Sequence, residues 1–516
     1  MSAAPGRLGA RPRAWPRAGP RARQRVAVAT GALLLTLGGC ASLMPPRSAP
    51  AAIEPPAAWA GTETLATAPA NATSLAQWWQ RFDDPLLTRL VTQALQANTS
   101  VNAAQAALKQ ARALRDVSAA GLLPAVGGSA SAQHSQSGDG NGSNSLRAGL
   151  DASWELDVFG GNRAALNSSE AQANASAASL GNVQVSIAAE VALNLITLRS
   201  TQARLAIANS NLASQQETLQ LTQWRLQAGL VTELEREQAR GAVEQTRAQL
   251  PALQTRIDQS AFALAVLVGQ PPAALMAELA VAGALPQASA ELALSIPAET
   301  LRQRPDVRAA EYQVGAALGR VTQADAARLP SFKLSGSLGL NALTLGSLTS
   351  GASVVGALLA GVSMPIFDGG AGKAQVRAQE AALEQAAQNY RAAVLSALKE
   401  VEDALVALRG DRERLARLMQ AAQASATAAE LARQRFSSGL VDFQTVLETQ
   451  RSQLSTQDGV ASAQADISAD HVRLYKALGG GWRAEEIVAD AIARKADGAN
   501  IGASTSLPTS TRTSPQ

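Results

Sequence analysis

Residues able to do acid–base, nucleophilic or metal chemistry are sparse in this 516-residue sequence, with two histidines, His134 and His471, and one cysteine, Cys40. Neither histidine has a cysteine nearby or an Asp/Glu set at ligand spacing, so no metal site is expected. Glu155 and Asp157 are two apart in an alternating stretch, which puts both carboxylates on one face of a strand. Nothing beside them supplies a pocket or a nucleophile. Gly479-Gly480-Gly481 lacks the preceding strand and the following Lys-Ser/Thr of a phosphate loop. The sequence therefore reads as a non-enzyme without a cofactor. The polar residues beside two glycine breaks offer different chemistry. Glu233, Glu235 and Arg236 follow Gly229, and Asp442 follows Gly439. Asp442 suits a helix N-cap. Repeated by symmetry around a narrow mouth, it would also form a carboxylate ring that selects cations or is held shut by neighbouring helices. Glu233 is the second candidate for such a gate.

The elements that must position these residues centre on Ser145 to Ala177. Leu146, Ala148, Leu150, Ala152, Trp154, Leu156 and Val158 alternate with Ser145, Arg147, Gly149, Asp151, Ser153, Glu155 and Asp157. A period of two predicts a strand with one apolar and one polar face. It covers the ~9–11 residues that a tilted strand needs to cross a bilayer. At Gly160-Gly161 the period changes. From Asn162 the chain is rich in Ala, Gln, Asn and Glu and free of Pro for about 65 residues, a helix ~100 Å long. Scarce aromatics and abundant Ala agree with long helices packed through small side chains.

The start of the chain reads as a targeting segment. Residues 1–39 hold seven arginines and no acid, and an apolar run, Val26 to Leu37, follows them. The run is too short to span a membrane as a helix and fits a signal peptide. It ends Leu37-Gly38-Gly39-Cys40, which resembles the bacterial lipobox, so Cys40 is the expected lipid attachment site and mature N-terminus. Ala41 follows it rather than Asp, which in such lipoproteins favours export to the outer membrane. Removing seven positive charges from the formal +4 leaves about −3, so there is no nucleic-acid footprint. No unbroken apolar run reaches the ~18 residues of a transmembrane helix.

Residues 40–73 are rich in Pro and Ala and read as a tether. Asp84-Pro85 starts a helix expected to run to Ala120, where Gly121 and Pro124 end it. A weaker alternating run, Ala125 to His134, pairs through a polar loop with the main strand. In the second half a third strand surrounds Phe332 to Leu340, and a fourth is expected over Ala357 to Phe367. A long helix follows from Ala371 to Phe436, and its partner runs from Asp442 to Leu478. Pro271 to Glu299 is too long and too Pro-rich for one helix and is expected to be irregular with short elements. Residues 484–516 form a polar tail of disordered composition.

The chain repeats itself. Gly121-Leu122-Leu123-Pro124 is echoed by Ala327-Arg328-Leu329-Pro330, and Val158-Phe159-Gly160-Gly161 by Phe367-Asp368-Gly369-Gly370. Arg225 to Val231, RLQAGLV, is echoed by Arg435 to Val441, RFSSGLV. A period this long marks a domain duplication, each half being helix, strand, strand, long helix and return helix. The expected units are 74–270 and 301–483, joined by 271–300. Four strands cannot close a barrel, and an open strand edge is forbidden in lipid. If these strands lie in a membrane, chains must therefore pool them: two would give 8 and three would give 12.

Five segments carry a specific resemblance: Trp78 to Leu86, Trp154 to Gly160, Leu301 to Glu311, Pro365 to Gly370 and Tyr475 to Trp482. In this order they resemble the TolC/OprM-type outer-membrane efflux channels, in the NodT lipoprotein subgroup. The resemblance implies a mixed α/β membrane protein, mostly α. Four strands per chain would build the 12-stranded barrel of a homotrimer, continued by a long periplasmic α-helical barrel. It implies a passive small-molecule conduit of a tripartite pump, docked to a periplasmic adaptor and through it to an inner-membrane RND-type pump. Gly229-Leu230 and Gly439-Leu440 would be the tips the adaptor touches. Type I protein secretion is the alternative within the same architecture. A lipid-anchored scaffold without a pore is the alternative from another class, and it leaves the strands unexplained. Arg302, Arg304 and Asp306 are expected to form a structural cap and salt-bridge set, and Trp482 to pack in the equatorial belt that the resemblance implies.

Overall fold

The computed structural model describes residues 54–60, 67–69, 75–136, 138, 142–288, 292–294 and 297–482. Residues 1–39, expected as a signal peptide, Cys40, most of the expected tether and the tail 484–516 lie outside the described residues. The first half contains β1 (Thr67–Pro69), α1 (Pro85–Ala97), α2 (Thr99–Ala120), β2 (Ala125–Gln136), β3 (Gly142–Leu156), α3 (Gly161–Gln227) and α4 (Glu233–Leu267). The connection holds α5 (Met276–Leu279) and β4 (Leu292–Leu294). The second half contains α6 (Pro297–Gln303), α7 (Pro305–Ala326), β5 (Ser331–Ala342), β6 (Val354–Ser363), α8 (Ala371–Ser437) and α9 (Phe443–Ala477).

The duplication is preserved in element lengths. α2 and α7 have 22 residues each, and β2 and β5 have 12 each. α3 and α8 have 67 each, and α4 and α9 have 35 each. The four long strands form one antiparallel sheet in the order β2-β3-β5-β6. The two halves meet at β3 and β5, where Trp154 lies opposite Leu334 and Leu150 opposite Leu338. Both outer strands, β2 and β6, keep an open edge within the chain.

Each strand-to-helix joint uses an aspartate and a positive-φ glycine. Asp157 accepts from the backbone N–H of Asn162 and of Arg163, each at 2.9 Å. Asp368 accepts from Gly370 at 2.8 Å and Gly372 at 2.7 Å. These carboxylates satisfy orphan donors of the long helices at their positive ends. Asp157 is thus a helix cap beyond the strand and does not share a strand face with Glu155.

Two further boundaries differ from the sequence reading. The helix expected over 85–120 breaks at Asn98, whose backbone is extended at φ −61°, ψ 134°. Its side chain accepts from Ser100 N at 2.8 Å and Val101 N at 3.4 Å, and donates to Leu267 O at 2.9 Å. The apolar period runs through this residue, and the break is marked by its own N-cap of α2 and by its contact with the end of α4. The fourth strand is Val354–Ser363, not 357–367, because residues before Pro365 leave the ladder and Pro cannot donate to it. The connection holds only short elements, in line with its proline content, and its β4 pairs in parallel with β1. An 18-residue window of α3 is also apolar enough for a membrane span by composition, at hydropathy 1.2. Half of that window is buried, and α3 packs against α2, α4, α7 and α9 as a wall helix.

Large side chains concentrate in a belt between strands and tips. Trp78 and Tyr475 are fully buried and stack with centroids 5.9 Å apart. Arg304, 6% exposed, holds Asp306 at 2.6 Å, Glu400 at 2.8 Å and the Ala477 carbonyl at 2.7 Å. Trp482 donates to the Gln303 carbonyl at 2.9 Å. The salt-bridge set is therefore present, with Arg302 exposed outside it. Replacing Asn98 with Ala removes the α2 cap and the tie to α4, and is expected to cost ~1–2 kcal/mol. Thermal unfolding of the detergent-solubilised protein checks it; an unchanged melting temperature would contradict the belt role.

Candidate functional site

The two hairpin tips are near copies. α3 ends at Ala228, and Gly229 takes φ +71°. Gly229 N–H donates to Leu226 O at 2.9 Å and Leu230 N–H to Arg225 O at 2.8 Å. α8 ends the same way: Gly439 has φ +73°, Gly439 N–H reaches Phe436 O at 3.0 Å, and Leu440 N–H reaches Arg435 O at 2.9 Å. This crossed pair of bonds closes a helix through a left-handed residue. A Cβ added at either glycine meets nothing within 4 Å, so backbone conformation alone demands glycine there. Leu230 and Leu440 then project at 70% and 74% exposure. Helices of 67 residues put both tips ~100 Å from the sheet.

Polar ties link α3 to the second hairpin. Arg225 lies over the Phe436 ring at 4.6 Å and donates to Ser437 O at 2.9 Å. Phe436 packs on Phe443 at 5.4 Å. Farther from the tips, Gln450 donates to Thr218 Oγ1 at 2.9 Å, and Arg204 grips Asp458 at 2.6 and 3.1 Å. Sequence reasoning used Arg225 only as a repeat marker. Its conspicuous signal is an arginine at the end of a long helix, and its partner lies 211 positions away at Phe436.

The chain matches the outer membrane efflux protein family over residues 90–270 and 296–480. It is similar to the pyoverdine export outer membrane protein OpmQ of Pseudomonas putida, at 34% identity over 88% of this chain and 97% of the relative. It is 30% identical to the toluene efflux pump outer membrane protein TtgF of Pseudomonas putida, over 87% of this chain and 96% of the relative. The solved structure of the outer-membrane channel OprN superposes with TM-score 0.81 at 35% identity, covering 86% of this chain and all of that one.

The chain belongs to the outer membrane efflux protein family.

It is an outer-membrane efflux channel with a long periplasmic helical extension. The fold is that of trimeric channels in which pooled strands form a β-barrel and the helices continue it as an α-barrel. The family and these relatives are transport components.

Within this efflux channel the candidate gate carboxylates have separate partners. Asp442 accepts from Thr445 N–H at 2.8 Å and Thr445 Oγ at 2.6 Å, capping α9. Its counterpart in the first repeat is Thr232, whose capping box with Glu235 closes the start of α4. Glu233 accepts instead from Arg236 at 2.6 Å. The structure therefore places the two candidates at matching hairpin ends without joining them. His471 is buried in the belt, where burial, Arg412 and Arg81 push its imidazole down to about 4 and keep it neutral. Burial pushes neighbouring Asp470 up to about 6, against the pull of Arg473. His134 pairs with Asn144 at 2.7 Å across the β2–β3 hairpin. Among the described residues no group of three or more His, Cys, Asp or Glu is placed to hold a metal.

The Thr445 hydroxyl and backbone N–H hold the Asp442 carboxyl below its ordinary range. Its cap is complete above the unfolded value of ~3.9 and is lost as pH falls through the lower folded value. The first turn of α9 is expected to resist amide exchange at pH 5 and fray in stronger acid. Asp442→Ala should speed exchange of that turn at pH 5 and make little difference in stronger acid, where the wild-type cap is already lost. Equal exchange of the two proteins at pH 5 would remove the capping role.

Proposed function

We propose that this efflux channel is the passive outer-membrane duct of a tripartite pump exporting small molecules. Its tips dock a periplasmic adaptor, and the adaptor connects it to an inner-membrane RND-type pump that supplies the energy. The observation that carries this reading is the twin presentation of Leu230 and Leu440 on rigid caps at the far end of the helices. A helical hairpin that covers both leucines would bury exposed apolar surface in a repeated geometry. The exporters OpmQ and TtgF carry the names of pyoverdine and toluene, which favours small solutes over secreted protein. Asp442 and Glu233 would line the periplasmic mouth in a homotrimer, where like carboxylates draw cations. Cys40 would anchor each chain to the outer membrane by lipid, and residues 74–270 and 301–483 act as the two efflux repeats. No nucleic-acid role and no cofactor beyond this lipid belong to the proposal.

Two experiments test it. The purified trimer in planar bilayers should show a small, cation-preferring conductance that rises in Asp442→Ala. A pore indifferent to Asp442 would keep the conduit and discard the gate. In cells lacking the channel, Leu230→Glu/Leu440→Glu should assemble as a heat-resistant trimer yet fail to crosslink to the adaptor or restore solute resistance. Full resistance from this variant would overturn the docking site.

A further inference from the structure

A cleft of about 760 Å³ opens over α3 between α4 and α9, on the tip side of the belt. Three guanidinium groups, Arg204, Arg256 and Arg451, line it against one carboxylate, Asp458. Arg204 is committed to Asp458 in a bidentate pair at 2.6 and 3.1 Å. Arg256 and Arg451 have no carboxylate partner among the described residues, so the cleft carries two uncompensated positive charges. Gln215 also lines it, at 5% exposure, and its buried Oε1 has no hydrogen-bond partner. A buried amide oxygen left unpaired is costly, and a donor in the cleft would relieve it.

The cleft has a direction. α3 packs against α4 on one side and α9 on the other. Ala206, Ser210, Ala213, Glu217 and Gln220 mark its opposite face, which is exposed. The flanking helices therefore rise above α3 only on the cleft side. In a closed ring of helices that concave side faces the axis.

We infer that this cleft is a station on the channel lumen that binds carboxylate-bearing solutes carrying an adjacent hydroxyl or N–H donor. The two free guanidiniums take the carboxylates and Gln215 takes the donor. Three copies would set six such guanidiniums along one stretch of the duct, attracting anions there while the mouth below draws cations. The inference rests on the conduit reading above.

Citrate is the probe, and tricarballylate, which lacks only its hydroxyl, is the comparison. The full-length trimer is recorded in planar bilayers in a KCl gradient, with probe added at the tip side. Arg256→Gln/Arg451→Gln should lower the chloride-to-potassium permeability ratio roughly threefold and weaken citrate block about tenfold. Arg240→Gln, outside the cleft, should change neither. Arg256→Lys/Arg451→Lys should keep the ratio and lose much of the block, because lysine cannot bind a carboxylate bidentately. This second pair still reads the site if the glutamine pair fails to assemble. Citrate should block more strongly than tricarballylate, and Gln215→Leu should erase that difference. A conducting double variant with wild-type ratio and wild-type block would overturn the station while leaving the conduit intact. A folded, inserted wild type that does not conduct would overturn the conduit, and the station with it.

Discussion

A strand edge in hydrocarbon leaves a row of N–H and C=O groups with nothing to bond, at several kcal/mol per group. The sheet β2-β3-β5-β6 has two such edges in every chain. Closure between copies is the one arrangement that removes them, so the barrel is a property of the assembly. The helices inherit the same symmetry because each long helix leaves a strand through a short rigid joint. Asp157 and Asp368 fix those joints by capping the first backbone donors of α3 and α8. A ring of strands therefore becomes a ring of helices without a flexible linker between them.

The thin wall explains the distribution of core residues. Alanine and other small residues let α3, α4, α8 and α9 pack closely, and little large apolar volume is needed along their length. The larger bulky core is the belt, where Trp78, Tyr475 and the leucines of α1 fill the space around α3 and α9, and a smaller cluster around Phe436, Phe443, Val446 and Leu447 lies at the tips. Arg304 closes this belt with three charged or carbonyl partners, which compensates the burial of its guanidinium. Below the belt the wall is held by separated polar ties such as Arg204 with Asp458 and Gln450 with Thr218. Ties of this kind constrain alignment without filling the lumen.

At the tips, the same carboxylate serves local structure and the proposed electrostatic role. Asp442 caps α9 through Thr445, so its charge is fixed in place by the helix it stabilises. Glu233, paired with Arg236, presents a partly neutralised charge. The two repeats thus share backbone geometry at Gly229 and Gly439 while differing in side-chain charge.

The sequence by itself determined the repeat, the strand-to-helix change at Gly160 and Gly370, and the glycine-closed tips. Each is local: a period of two, a period near four, or a conformation only glycine adopts readily. The Trp78, Tyr475 and Gly479-Gly480-Gly481-Trp482 segments also marked the family. The caps made by Asn98 and Asp157 are local bonds within six residues that the apolar and alternating periods run through and mask. The tie of Asn98 to α4, the β1–β4 ladder and the Arg225–Phe436 contact were decided only by tertiary structure, because their partners, Leu267, Leu292 to Leu294 and Phe436, are brought near by the fold. The lumenal cleft is the extreme case. Arg204, Arg256 and Arg451 lie on three helices, and nothing in their spacing along the chain announces that packing around α3 brings their charges to one wall.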